Sequence, residues 1–322
     1  MATITENATP TKNRSMADEI VGFIIMAVLL AAVPLTGIYP YFVMQALCFS
    51  LFACAFNLLI GYSGLLSFGH SMFLGTASYF TAYTLKSWGV PPVVGILIGV
   101  AAAAVLSVIT GAIAIRRQGI YFAMITLALS QLMFFIYLRA PFTGGEDGIQ
   151  GIPQGTLFGI FDLSHTNTLY YFVLTMFLLA FLLIHRIVNS PFGEVLKSIR
   201  ENEPRAISLG YKVDQYKLMA FILSGTLAGL AGSMKMFVTQ NASLTDVHWT
   251  MSGEVVLMTL VGGLGTSFGP IVGAFIIVAM QQYLASFGQW VMVMQGAVFI
   301  ICVLTFRRGI VGEIAHYFKR SL

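Results

Sequence analysis

Residues 20–145 contain no aspartate and no glutamate, a stretch of 126 residues. An ionised acid at the centre of a bilayer costs roughly 2.5–3.5 kcal/mol on insertion scales. A stretch that excludes acids for so long is matched to lipid rather than to water. Composition agrees: charged residues make up 9% of the chain and hydrophobic residues 57%, whereas soluble domains need roughly 25% charged residues to cover their surface. In lipid each backbone polar group must be satisfied within the protein, and helices do this segment by segment. The chain therefore reads as an all-α integral membrane protein.

Apolar runs of about 20 residues match the hydrocarbon core. Candidates lie at about 20–38, 41–60, 71–86, 91–115, 119–138, 168–188, 217–236, 254–263, 269–286 and 290–306. The eighth is too short to cross alone, so the expectation is about ten transmembrane segments, including broken or half helices. They form one transmembrane domain at 20–306 with a large cytoplasmic loop at 189–216, between a polar tail at 1–19 and a second tail at 307–322. The first tail lacks the basic, apolar and small-residue order of a cleaved signal, so the first apolar run is read as a retained span.

Basic residues set the orientation. With the N-terminus in the cytoplasm and strict alternation, Lys12, Arg14, Arg116, Arg117, Arg186, Lys197, Arg200, Arg205, Lys212, Lys217, Arg307, Arg308, Lys319 and Arg320 fall inside, and only Lys86, Arg139 and Lys235 fall outside. Ten segments return the C-terminus to the cytoplasm. The outward loops are then about 139–167 and 237–253.

Small residues at every fourth position let membrane helices approach closely. Gly99, Ala103, Ser107 and Gly111 form one such stripe; Gly225, Gly229 and Ser233 form another, beside Ser224, Ala228 and Gly232. Cys48, Cys54 and Cys302 lie in apolar runs without metal-ligand spacing and read as small buried hydrophobes.

No catalytic constellation stands out. A G-x-x-x-x-G-K-[ST] phosphate loop is absent, as is H-E-x-x-H, and His70, His165, His185, His248 and His316 are scattered. Ser67 and His70 are three residues apart, but no acid lies near to orient an imidazole. The reading is no enzyme, no cofactor and no metal. A proton-coupled carrier needs ionisable groups within the membrane, and only Glu254 and Lys235 qualify, both at expected outer helix ends. A sodium-coupled carrier acting alone, using carbonyls of broken helices, stays open as an alternative. Otherwise the energy comes from another chain.

Residues 189–217, NSPFGEVLKSIRENEPRAISLGYKVDQYK, are the most charged region. Residues 192–202 fit one short helix, Pro204 suits the first turn of a second, Ala206, Ile207 and Leu209 give it an apolar face, and Gly210 is a stop. This punctuation favours a docking element for a cytoplasmic partner over a solvated basic loop. Two glycine-rich stretches, GYSGLLSFGH (61–70) and GGLGTSFGP (262–270), interrupt the apolar pattern. Gly61, Gly64 and Gly69 can break a helix, and Tyr62, Ser63, Ser67 and His70 can satisfy the freed backbone groups. Gly61, Gly64, Ser67, Gly69, His70, Gly262, Gly263 and Gly265 are the candidates for the permeation path, each with packing as the competing role.

FNLLIGYSGLLSFGHSMFLGTASY (56–79), RRQGIYFAMITLALSQ (116–131), FTGGEDGIQGIP (142–153), PFGEVLKSIRENEPRAISLGYKVDQYKLMAFILSGTLAGLAG (191–232) and LVGGLGTSFGPIVGAF (260–275) carry a resemblance. The chain resembles the permease subunits of bacterial branched-chain amino-acid ABC importers, specifically the M-type subunit of the leucine/isoleucine/valine system. The resemblance implies a multi-pass protein of the bacterial inner membrane with a second homologous permease, two cytoplasmic ATPase subunits and a periplasmic substrate-binding protein as partners; nucleic acid is not among them. It implies that the loop at 194–210 docks on an ATPase, which makes Glu194, Lys197, Arg200, Glu201, Glu203, Arg205, Leu209 and Gly210 the coupling residues. Related permeases serve urea, amides and aromatic acids, so the substrate stays open within the family.

Overall fold

The expected apolar segments become helices almost one for one. In the computed structural model, which describes residues 16–35, 37, 39–157, 161–285, 288, 290–305 and 309–317, the order is α1 (Met16–Ala32), α2 (Pro40–Ser63), α3 (His70–Trp88), α4 (Pro92–Ala114), α5 (Ile120–Arg139), α6 (Thr166–Val188), α7 (Pro191–Glu201), α8 (Glu203–Ser208), α9 (Val213–Thr239), α10 (Trp249–Gly262), α11 (Gly269–Leu284), α12 (Trp290–Thr305) and α13 (Gly309–Tyr317). The chain is an all-α membrane protein. Helices α2, α4, α5, α6 and α9 are long and apolar enough to cross a bilayer. α10 has 14 residues, about 21 Å at 1.5 Å per residue, short of a hydrocarbon core of about 30 Å. Lys12, Arg14, Arg307, Arg308, Lys319 and Arg320 lie outside the described residues, as do residues 1–15 of the N-terminal tail and the side chain of Cys302. Within the expected C-terminal tail, residues 309–317 form α13, which packs against α10 and α11.

α2 is the centre of the bundle. Nearly every residue from Val43 to Ser63 is buried, because α2 packs on α9, α11 and α6 at once. α4 and α5 behave differently. Each buries one stripe and exposes large apolar side chains, among them Leu97, Val105, Ile109, Tyr121, Met124 and Phe135. In water such a surface would be a liability; against lipid it is the ordinary outside of a bundle.

The small-residue stripes meet where α3, α4 and α9 cross. A Cβ added at Gly99 would lie 2.7 Å from the Ala77 carbonyl oxygen, and one at Gly232 would lie 2.0 Å from that of Leu74. Only glycine allows these approaches. The hydroxyls of Thr81 and Ser233 then bond across the crossing at 2.9 Å.

The two segments expected on the outer face are joined. Strand β1 (Ile149–Gln150) pairs antiparallel with β4 (Asn241–Ala242), and β2 (Thr156–Leu157) pairs with β3 (Phe161–Asp162). Lys86 Nζ donates to the Gln150 carbonyl at 2.8 Å and Gln154 Nε2 to that of Phe237 at 3.1 Å. A cavity of about 370 Å³ beside this ribbon is lined by Tyr39, Tyr41, Gln154, Thr166, Thr239 and Gln240, among others. The connections that follow α2, α4, α6 and α10 form a second group. Gln118 Nε2 donates to Glu203 Oε1 at 2.8 Å, and the Arg200 guanidinium donates to the Gly61 carbonyl.

Candidate coupling junction

The charged loop folds because its local signals agree. Ser190 Oγ accepts the Gly193 N–H and Pro191 occupies the first turn of α7. Asn202 Oδ1 caps α8 by accepting the Arg205 N–H at 3.1 Å. Gly210, with φ +88°, lets the chain leave in the left-handed region. Leu196 and Ile199 of α7, Ala206 of α8 and Val213 of α9 are buried. Phe192 stacks on Tyr216 with ring centroids 5.8 Å apart. The buried ammonium of Lys217 lies 2.7 Å from Glu203 Oε1. This is a small folded body with a core, not a solvated linker.

Its outward face has a distinct character. Ile207 and Leu209 are 57% and 66% exposed, so the expected apolar face divides: Ala206 turns inward while Ile207 and Leu209 face outward. Glu194 and Lys197 pair at 2.7 Å on the exposed side of α7, and Glu201, Arg205 and Gly210 are also exposed.

The inward connection runs through Arg200, whose guanidinium donates to the Gly61 carbonyl. Helix α2 stays helical through Gly61 and turns only at Gly64, where φ is +74°. The break therefore lies at 64–69. A Cβ at Gly61 would fall 2.2 Å from Asn57 Oδ1, so glycine there makes room for the Asn57 side chain. Asn57 in turn uses both ends of its carboxamide. Its Oδ1 accepts the Gly265 N–H at 3.0 Å, and its Nδ2 donates to the Thr266 carbonyl at 3.0 Å. Gly265, at φ +76°, lies beneath the guanidinium: a Cβ there would sit 3.1 Å from Arg200 Nη1. The two glycine-rich stretches thus meet, with Asn57 between them and Arg200 over both.

The remaining residues of these stretches have local work. Ser67 is buried and its Oγ accepts the Gly69 N–H at 3.2 Å, while the Phe68 N–H bonds Thr126 Oγ1 of α5 at 3.1 Å. His70 opens α3 and is fully buried. Its Nε2 lies 2.8 Å from Ser224 Oγ, which donates to the Ala55 carbonyl at 2.5 Å. Phe56 and Phe73 face the imidazole edge-on. Ser67 and His70 are thus engaged with separate partners, and His70 ties α3, α9 and α2 together. Gly262 ends α10 and Gly263 leaves it at φ +124°. Thr266 Oγ1 closes the turn, donating to the Gly263 carbonyl at 2.8 Å and accepting the Gly269 N–H at 3.1 Å.

Three features escaped the sequence reading. Asn57 is one; its signal was a carboxamide inside an apolar run, which needs protein partners. The second is Asp246, which forms a buried ion pair with Lys235, whose ammonium lies 5.2 Å from the centroid of the Phe49 ring. The third is a buried hydroxyl cluster: Ser71 Oγ lies 3.0 Å from Ser130 Oγ and 2.9 Å from Ser252 Oγ, joining α3, α5 and α10.

A family profile described as branched-chain amino acid transport system / permease component matches residues 38–303. The chain belongs to this permease family. It is 27% identical over 284 residues to the high-affinity branched-chain amino acid transport system permease protein LivM of Escherichia coli (strain K12), covering 79% of this chain and 65% of the relative. It is 26% identical over 204 residues to the probable branched-chain amino acid transport permease protein LivM of Methanocaldococcus jannaschii, covering 60% of this chain and 58% of the relative. The autoinducer 2 import system permease protein LsrC of Yersinia pseudotuberculosis matches at 28% over 203 residues, 58% of this chain and 55% of that one. The match thus spans 65% of the length of the E. coli relative and less of the other two. No solved structure matches the permease chain.

Proposed function

We propose that this chain is the membrane-spanning subunit of an ABC importer that moves branched-chain or related amino acids across the bacterial inner membrane. Two cytoplasmic ATPase subunits supply the energy, a second homologous permease completes the pathway, and a periplasmic binding protein delivers the substrate. The observation that carries this reading is the folded α7–α8 body. It presents Ile207 and Leu209 outward and is fastened to the membrane helices by Arg200 and by the Lys217–Glu203 pair. A handle built this way can pass on a push from a docked partner.

About ten segments with both termini in the cytoplasm complete the proposal. Fourteen basic residues against three favour that orientation. The contacts of the loops after α4 and α6 with each other and with the end of α2 support it, as does the β1–β4 pairing among the loops assigned to the outside. The ribbon and the cavity next to it are the surface available to a binding protein. ATP binding closes the ATPases and levers α7 and α8; the helices rock, and substrate passes between the two permeases. The binding protein supplies affinity, so this chain needs no tight pocket of its own.

The LivM relatives favour leucine, isoleucine and valine as substrates. The LsrC relatives carry autoinducer 2 in their name, so related permeases serve more than one kind of cargo; urea, amides and aromatic acids are the alternative cargoes. The test is reconstitution in liposomes with and without the ATPase subunits. Leucine uptake that requires ATP and all partners is expected. Uptake by this chain alone on a sodium gradient would favour the lone carrier instead.

A further inference from the structure

We infer that Asn57 is a positioning residue that straps the α10–α11 turn to α2, so that the turn follows the coupling body as one unit. The inference rests on the proposed docking of α7–α8 and names the element that receives its motion.

The argument starts from unsatisfied backbone. The Gly265 N–H and the Thr266 carbonyl belong to an irregular turn between two helices, and a helix ladder does not satisfy such groups. Asn57 supplies both partners from one side chain, at 3.0 Å each. Both bonds are part-buried, so losing them would strip the turn of two backbone partners at once. Separating the turn from α2 would orphan a donor and an acceptor together, so the two move together. Arg200 then joins the same point to α7 through the Gly61 carbonyl, one turn along α2 from Asn57.

The hairpin beyond the strap is stiff enough to carry the displacement. A Cβ at Gly273 would lie 1.8 Å from the Met258 carbonyl oxygen, and one at Gly262 would lie 2.0 Å from that of Gly269. Gln281 Nε2 of α11 donates to Glu254 Oε2 of α10 at 3.0 Å. The first turn of α10 reaches α3, where Ser252 Oγ accepts the Ser71 N–H at 2.9 Å. A push on α7 is thus delivered through Arg200, α2 and Asn57 to α10, and from there to α3.

The test uses the complete complex of both permeases, the ATPases and the binding protein in lipid nanodiscs. Hydrogen–deuterium exchange is followed at 191–201 and 263–268, with and without ATP. In wild type both segments should respond. In Asn57→Ala, 191–201 should still respond while 263–268 does not, and uptake per ATP hydrolysed should fall by about tenfold, within the usual range of coupling between linked sites. Asn57→Asp keeps the acceptor for Gly265 and loses the donor to Thr266; it should give an intermediate response, and serves if the alanine variant fails to assemble. An unchanged ATP response at 263–268 in either assembled variant overturns the strap. Silence at 191–201 in wild type overturns the docking reading itself, and the strap with it.

Discussion

Asn57 and Gly265 are 208 positions apart, yet the carboxamide oxygen of one accepts the backbone N–H of the other at 3.0 Å. That contact exists because Gly61, one turn beyond Asn57, has no Cβ. Gly61→Ala would put a methyl 2.2 Å from Asn57 Oδ1 and 2.9 Å from the Gly265 nitrogen. The asparagine must then swing away and leave the turn unpaired. We expect uptake to be lost with membrane insertion intact. Gly64 differs, since its Cβ position meets only the stem of Arg200 at 3.4 Å. Gly64→Ala should cost only the roughly 1–2 kcal/mol of a left-handed residue with a side chain and keep partial uptake, whereas the bulk of Gly64→Leu should abolish it. Uptake assays on membranes with matched expression distinguish these outcomes.

Lys235 and Asp246 form a buried pair. Removing one partner of such a pair leaves an uncompensated charge and costs about 3–5 kcal/mol, whereas replacing both by apolar residues is often near neutral. Asp246→Ala should therefore lower the thermal inactivation temperature in detergent sharply. The double variant Lys235→Met, Asp246→Leu should recover most of the loss.

The crossing of α3 and α9 makes a cleaner packing prediction. Gly232→Ala places a Cβ 2.0 Å from the Leu74 carbonyl oxygen, and overpacking of this kind costs about 1–3 kcal/mol or more. Gly253 in α10 has open space where a Cβ would go, so Gly253→Ala should be stabilising by up to about 1 kcal/mol from helix propensity. Thermal stability measured side by side should separate the two by sign.

Topology can be read directly by cysteine labelling in a background lacking Cys48, Cys54 and Cys302. An introduced cysteine at Arg205 should react only from the cytoplasmic side, and one at Gly151 only from outside. Reaction of the Arg205 position from outside would reverse the orientation.

Much of this was legible in the sequence. Apolar runs located ten helices because lipid leaves a helix no alternative, and α7 and α8 were legible because Pro204 and Gly210 are local signals with local consequences. The two-stranded ribbon was not legible: β1 and β4 are two residues each, too short for an alternating pattern, and their pairing depends on how α5 and α9 end. The site was half visible. The two glycine-rich stretches stood out, but that they meet follows from the packing of α2 against α11. Asn57, which joins them, offered only its polarity inside ACAFNLLIG. The break falls inside the glycine-rich stretch, but Gly61 stays in the helix and serves close packing, while Gly64 makes the turn.

The central claim is that the α7–α8 body transmits ATP-driven motion to the membrane helices. The direct measurement is leucine uptake and ATP hydrolysis, in parallel, by the reconstituted complex carrying Arg200→Ala, Glu203→Ala and Arg205→Ala together. The account predicts that uptake collapses while hydrolysis persists and the complex stays in the membrane. Normal uptake by that triple variant would contradict it.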